Sequence, residues 1–182
     1  MNLIDVMVVG ILLRSIYIGF RQGAVVELFK LLGMIFAIFL CLHYYLQASA
    51  LITEHLDIGA PTNEFFAFAF LWLMIFVVFK IVYEGIAILI RNKIPDGINK
   101  IAGITLGLTR GILVGSLAIA LVYVSKNNFL TSQAQQSFGG FYVAHISIDI
   151  YEGIYYRLIK PAFPSEEKNE ALKDFGKKEE AP

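Results

Sequence analysis

Six ionisable side chains fall in or beside long apolar runs: Asp5, Arg14, Glu27, Lys80, Glu84 and Arg110. Arg14, Lys80 and Arg110 lie near the middle of the runs 3–20, 65–90 and 101–124, and Lys80 and Glu84 stand four apart, on one face of a helix. In a bilayer such groups cost about 2.5–3.5 kcal/mol each on insertion scales, so each should face a partner or water. Two chemistries follow. An excess of cations at mid-depth could hold an anion, or Glu84 and Glu27 could pair with Arg110, Lys80 or Arg14 and lock a bundle. Glu84 is the preferred partner of Arg110, because it lies about a turn and a half from the end of the neighbouring antiparallel helix, and Glu27 is the alternative. A contiguous wet cavity joining these charges would favour the anion reading; a dry, paired core would favour the lock.

Other reactive types are sparse. His43, His55 and His145 have no metal-ligand spacing. Cys41 is the single cysteine, set in an apolar run, and reads as a small packed hydrophobe. Ser116 is not flanked by a nucleophile-elbow pattern. The chain is expected to be no enzyme and to hold no metal or cofactor.

The elements that must position these charges are membrane helices. Of 182 residues, 57% are hydrophobic and only 16% charged, far below the quarter usual in soluble domains, and the net charge is zero. No basic patch suits nucleic acid. Four apolar runs, about 3–20, 24–46, 65–90 and 101–124, are long enough to cross a core ~30 Å thick. They define an all-α integral membrane domain over 1–125. The start of the chain lacks a basic leader and a small-residue cleavage site, so the first run is expected to be retained. A polar connection over 47–64 carries Glu54, Asp57 and Pro61; the aromatic block Phe65–Trp72 suits an interface belt or packing; Arg91–Gly97 reads as a turn. A polar loop and a C-terminal amphipathic helix occupy 126–163. His145, Asp149, Glu152 and Lys160 share one side of that helix, which suits lying in the interface better than spanning. Residues 164–182 read as a disordered charged tail.

Gly103, Gly107, Gly111 and Gly115 recur every four residues, and Gly19 and Gly23 repeat the spacing. Glycines in a helix cost about 1 kcal/mol each against alanine, so the stripe predicts close backbone packing, within the chain or between copies. Arg21, Lys30, Arg91, Lys93 and Lys100 cluster around the first and third loops, while the second loop has no Lys or Arg. The first and third loops are therefore expected in the cytoplasm, with both termini periplasmic.

Asp5, then Gly23 followed by Glu27, then Asn99-Lys-Ile-Ala-Gly103 with Gly107, Arg110 and Gly111, together resemble the colicin V production protein family over about residues 1–125. The resemblance implies a multi-pass protein of the bacterial inner membrane, with a role in bacteriocin production or export and envelope homeostasis. It also argues for Glu27 beside Arg110. The family pattern would place an aspartate where this chain has Asn99. The expected function is that of an accessory or scaffold protein that packs, through its glycine faces, against a second copy or an envelope transport complex; the alternative is a small transporter or channel for an anionic solute built on Arg14, Lys80, Glu84 and Arg110. The bilayer is the expected partner in both.

Overall fold

The computed structural model describes residues 2–55, 59–90 and 96–174, and among these there is no strand. The sequence-expected Asp57, the turn through Pro95 and residues 175–182 lie outside them. The long helices are α1 (Leu3–Gln22), α2 (Ala24–His55), α3 (Ala60–Ile90) and α4 (Asp96–Val124). All four are long and apolar enough to cross a membrane. The protein is an all-α membrane bundle.

The order of packing follows from side-chain size. α4 carries the glycine stripe and lies against α1; α2 lies against both α4 and α3; α1 and α3 do not pack on each other. A Cβ at Gly19 would fall on the carbonyl oxygen of Gly103, and one at Gly103 on that of Gly19. A Cβ at Gly107 would come within 2.6 Å of the Ser15 oxygen, and one at Gly111 within 2.9 Å of the Ser15 Cβ. The stripe is thus occupied by α1 of the same chain. Between α2, α3 and α4 the core is aliphatic and aromatic, built from Ile38, Cys41, Leu42, Tyr45, Phe68 and Leu117.

α2 and α3 extend past the expected limits of 46 and 65, because polar residues continue both helices. Asn63 donates to Thr53 Oγ1 at 2.8 Å, and Thr53 donates to the Ser49 carbonyl. The segment after α4 is also more helical than expected. Asn127 caps α5 (Asn128–Gln136) by accepting from Phe129 and Leu130, and Ser137 caps α6 (Phe138–Ile154) by accepting from Gly140. A π turn (Tyr155–Ile159) and the short α7 (Lys160–Ala162) continue α6.

α6 runs across one end of the bundle. Gly139 N donates to Asp5 of α1 at 3.0 Å, Ser147 N donates to Ser116 of α4 at 2.8 Å, and Tyr151 meets His43 of α2 at 3.0 Å. It touches three helices in turn rather than running along one. His145, Asp149 and Lys160 are exposed and Glu152 is half-buried, so the polar side faces away from the bundle.

The start of the tail expected to be disordered is placed as well. Asn169 donates to the Leu42 carbonyl at 2.7 Å, Glu166 Oε1 lies 2.9 Å from His43 Nε2, and Leu172 is buried. Burial of Tyr151 raises its pKa, and the ion pair of Lys168 with Glu152 raises that of the lysine. Small apolar anchors and buried hydrogen bonds hold residues 164–174, which a count of charges does not reveal.

Candidate functional site

Gly23 joins α1 to α2 with φ +82°, in the left-handed region that glycine tolerates. The side chain of Asn99 fills the space beside it, and its Oδ1 accepts from Ala24 N at 2.7 Å. α4 therefore supplies the N-terminal cap of α2. An aspartate would offer the same acceptor, so the departure at Asn99 keeps the cap.

One turn into α2, Glu27 is fully buried. Its Oε2 accepts from Arg110 Nε at 2.8 Å and its Oε1 pairs with Lys30 at 3.0 Å. Glu27, rather than the preferred Glu84, is the partner of Arg110. The reason is geometric. α4 packs chiefly on α1 and α2, and helical side chains lean towards their own N-terminus. Arg110 consequently leans towards the Gly23 end, where Glu27 starts α2. Its Nη2 is buried without a hydrogen-bond partner, leaving the guanidinium only partly satisfied.

Glu84 stands beside Lys80 at 3.9 Å, with the two side chains 58% and 51% exposed. At 3.9 Å the contact is at the outer limit of an ion pair, looser than the contacts of Glu27. Arg14 is exposed and makes no ion pair among the described residues. Asp5 is far from these charges, capping α1 and accepting from Gly139.

Arg14, Lys80 and Arg110 come together around a cavity of about 600 Å³ between the four helices. Arg14, Ile18 and Gln22 of α1 form one wall, and Trp72, Phe76, Phe79, Lys80 and Tyr83 of α3 the other. Lys30, Gly33, Met34 and Ala37 of α2, with Arg110 and Val114 of α4, line it between them. It exists because α1 and α3 do not pack together, and Gly33 lets Phe79 approach α2. Lys30 also lies over the Tyr83 ring, 4.8 Å from its centroid, and bonds Gln22. In the sequence Lys30 serves only as an orientation signal. Its spacing of three from Glu27 is the feature that could have placed it in the site.

Four cations thus surround the cavity, against two carboxylates, Glu27 and Glu84. Among the described residues no group of His, Cys, Asp and Glu could hold a metal ion. The histidines are dispersed: His43 is buried against Tyr151 and Glu166, and His145 lies on the exposed side of α6.

Four helices long enough to span, a glycine seam and a buried Glu–Arg–Lys cluster beside a cationic cavity define a polytopic membrane protein with charge held inside its helix bundle. A family model for colicin V production proteins matches residues 4–146, and the chain belongs to that family. No curated protein and no solved structure matches the chain. The residues that carried the resemblance lie at two places in the fold: Gly23, Glu27, Asn99, Gly103, Gly107, Arg110 and Gly111 at the α1–α2–α4 junction, and Asp5 at the opposite end.

Proposed function

We propose that the protein handles an anionic solute within the bacterial inner membrane, as its part in bacteriocin production or export and envelope homeostasis. The supporting observation is the cavity lined by Arg14, Lys30, Lys80 and Arg110, with only two carboxylates to balance four cations. A binding point needs charge beyond what the fold consumes. Glu27, Arg110 and Lys30 form the consumed part, while Arg14 and the weakly paired Lys80 are available to a ligand.

The scaffold reading leans on the glycine faces, and those are filled by contact between α1 and α4 of one chain. It keeps support from the buried pair, which stiffens the bundle without needing a ligand. In orientation, the Gly23 end faces the cytoplasm and both termini the periplasm. The basic residues Arg21, Lys30 and Lys100 near that end support this side. The ion pair of Lys126 with Glu64, at 3.0 Å, belongs to the opposite end.

The test is complementation of a strain lacking the gene by the double variant Arg14→Gln, Lys80→Gln. Bacteriocin release and exclusion of a dye by the envelope are read at matched membrane levels of protein. Loss of both, with the protein retained, supports anion handling. Full activity of the double variant favours the scaffold.

A further inference from the structure

The cavity is polarised along the membrane normal. Towards the Gly23 end it is lined by Gln22, Lys30, Lys80, Tyr83 and Arg110, and towards the Leu3 end by Ala37, Ala69, Trp72 and Val114. Lys80 and Trp72 are eight residues apart on α3, or about 12 Å at the helical rise. Arg14 on α1 and Lys80 on α3 are both about 12–15 Å in from the Gly23 end of their helices. Arg14, with no ion pair among the described residues, and Lys80, loosely paired with Glu84 at 3.9 Å, therefore lie at similar depth on opposite walls.

The surroundings say how a ligand arrives. Leu13 and Tyr17 beside Arg14, and Phe76, Val77 and Ile81 beside Lys80, are all exposed on membrane-spanning helices. A gap between two such helices opens towards hydrocarbon. An amphiphile diffusing in the leaflet can enter sideways through such a gap. The volume of about 600 Å³ is within the ~300–1,000 Å³ usual for small-ligand sites.

We propose that the cleft between α1 and α3 seats an anionic lipid of the leaflet at the Gly23 end, its phosphate between Arg14 and Lys80 and an acyl chain along Trp72. This rests on the anion reading above and specifies its ligand. Arg110 and Lys30, held by Glu27, add positive field without being the ligating groups. The phosphate is drawn about 12–15 Å in from the Gly23 end, close to mid-depth of the ~30 Å core, by charges that lipid tails cannot solvate.

Trp72 is the only tryptophan of the chain, so its fluorescence reports on the cleft. Full-length protein is placed in nanodiscs of phosphatidylcholine containing a small fraction of chain-brominated phosphatidylglycerol or, separately, chain-brominated phosphatidylcholine. Bromine quenches on contact. The proposal expects several-fold stronger quenching by the anionic lipid. Its preference over the zwitterionic lipid should fall about tenfold for each of Arg14→Gln and Lys80→Gln, the size of one charge-assisted hydrogen bond. Both residues are exposed, so the fold should survive, as checked by far-UV circular dichroism. Lys126→Gln, at the opposite end, should leave the preference unchanged. Equal quenching by both lipids overturns the proposal. So does complete displacement of the brominated phosphatidylglycerol by soluble glycerol phosphate at equal concentration, which would make the headgroup alone sufficient. Equal quenching together with failed complementation by the double variant would remove the lipid and leave the anion reading standing.

Discussion

Arg110→Ala removes a guanidinium that donates to Glu27 at 2.8 Å and leaves that carboxylate, buried from solvent, with Lys30 at 3.0 Å. Deleting one member of a buried pair costs about 3–5 kcal/mol. The retained lysine offsets part of this, so the expected loss for Arg110→Ala is about 2–3 kcal/mol. Glu27→Gln loses both charge-assisted bonds and leaves two cations without a counter-charge, so it should be the more damaging change, at about 3–5 kcal/mol. In the double variant the buried carboxylate and the guanidinium go together, and only Lys30 is left without its counter-charge. The coupling energy should then be about 1.5–3 kcal/mol. Ordinary interhelical hydrogen bonds in membrane proteins couple by only about 0.6 kcal/mol, so the two cases are separable. The assay is unfolding of the purified protein in mixed micelles by a denaturing detergent, followed by circular dichroism. Glu84→Gln serves as the reference, with no coupling to Arg110. Coupling of Arg110 to Glu27 no larger than an ordinary hydrogen bond would refute the ion-pair lock. Coupling to Glu84 would require a different helix arrangement.

Three further outcomes are expected. Gly19→Ala and Gly103→Ala should lower thermal stability in detergent, since each added methyl meets the opposite backbone, whereas Gly10→Ala, with open space around it, should be neutral or gain up to ~1 kcal/mol. Asn99→Ala should cost about 1 kcal/mol through loss of the α2 cap, and Asn99→Asp should retain most of it; thermal unfolding of the three forms checks this. Docking of residues 164–174 should weaken at alkaline pH. The Tyr151 and Lys168 pKa values are both raised in the folded state, so their contribution is present below the ordinary values of 10.0 and 10.5 and lost as pH rises through the raised ones. Limited proteolysis of this segment against pH measures it, and unchanged protection well above pH 11 (roughly a unit past the ordinary values) would contradict it.

The spans were legible because about 20 apolar residues in a row have few other uses. The glycine stripe announced close packing, and Gly19 against Gly103 shows which helix fills it. Periodicity could not choose between α1 and a second copy, since both demand the same small residues. The Arg110 partner is hidden from the sequence for a related reason. Depth counted along isolated helices favoured Glu84, but α3 packs on α2, and the lean of Arg110 towards the start of its helix selects Glu27. α5 escaped notice because its sequence is polar, although Asn127 ahead of Phe129 and Leu130 is a recognisable cap. The placed part of the tail was hidden more thoroughly. Its anchors, Asn169 and Leu172, meet residues such as Leu42 and Tyr151 that are distant in sequence, and nothing local predicts that contact.

The account turns on cations that the fold itself does not use, and Arg14 isolates that claim. It is exposed into the cavity and makes no ion pair among the described residues, so Arg14→Gln should leave stability within about 0.5 kcal/mol. The decisive measurement is bacteriocin release by cells carrying Arg14→Gln, normalised to the amount of folded protein in the membrane. Release lost at unchanged stability is the predicted result; full release from an equally stable variant would contradict an anion-binding role for the cleft.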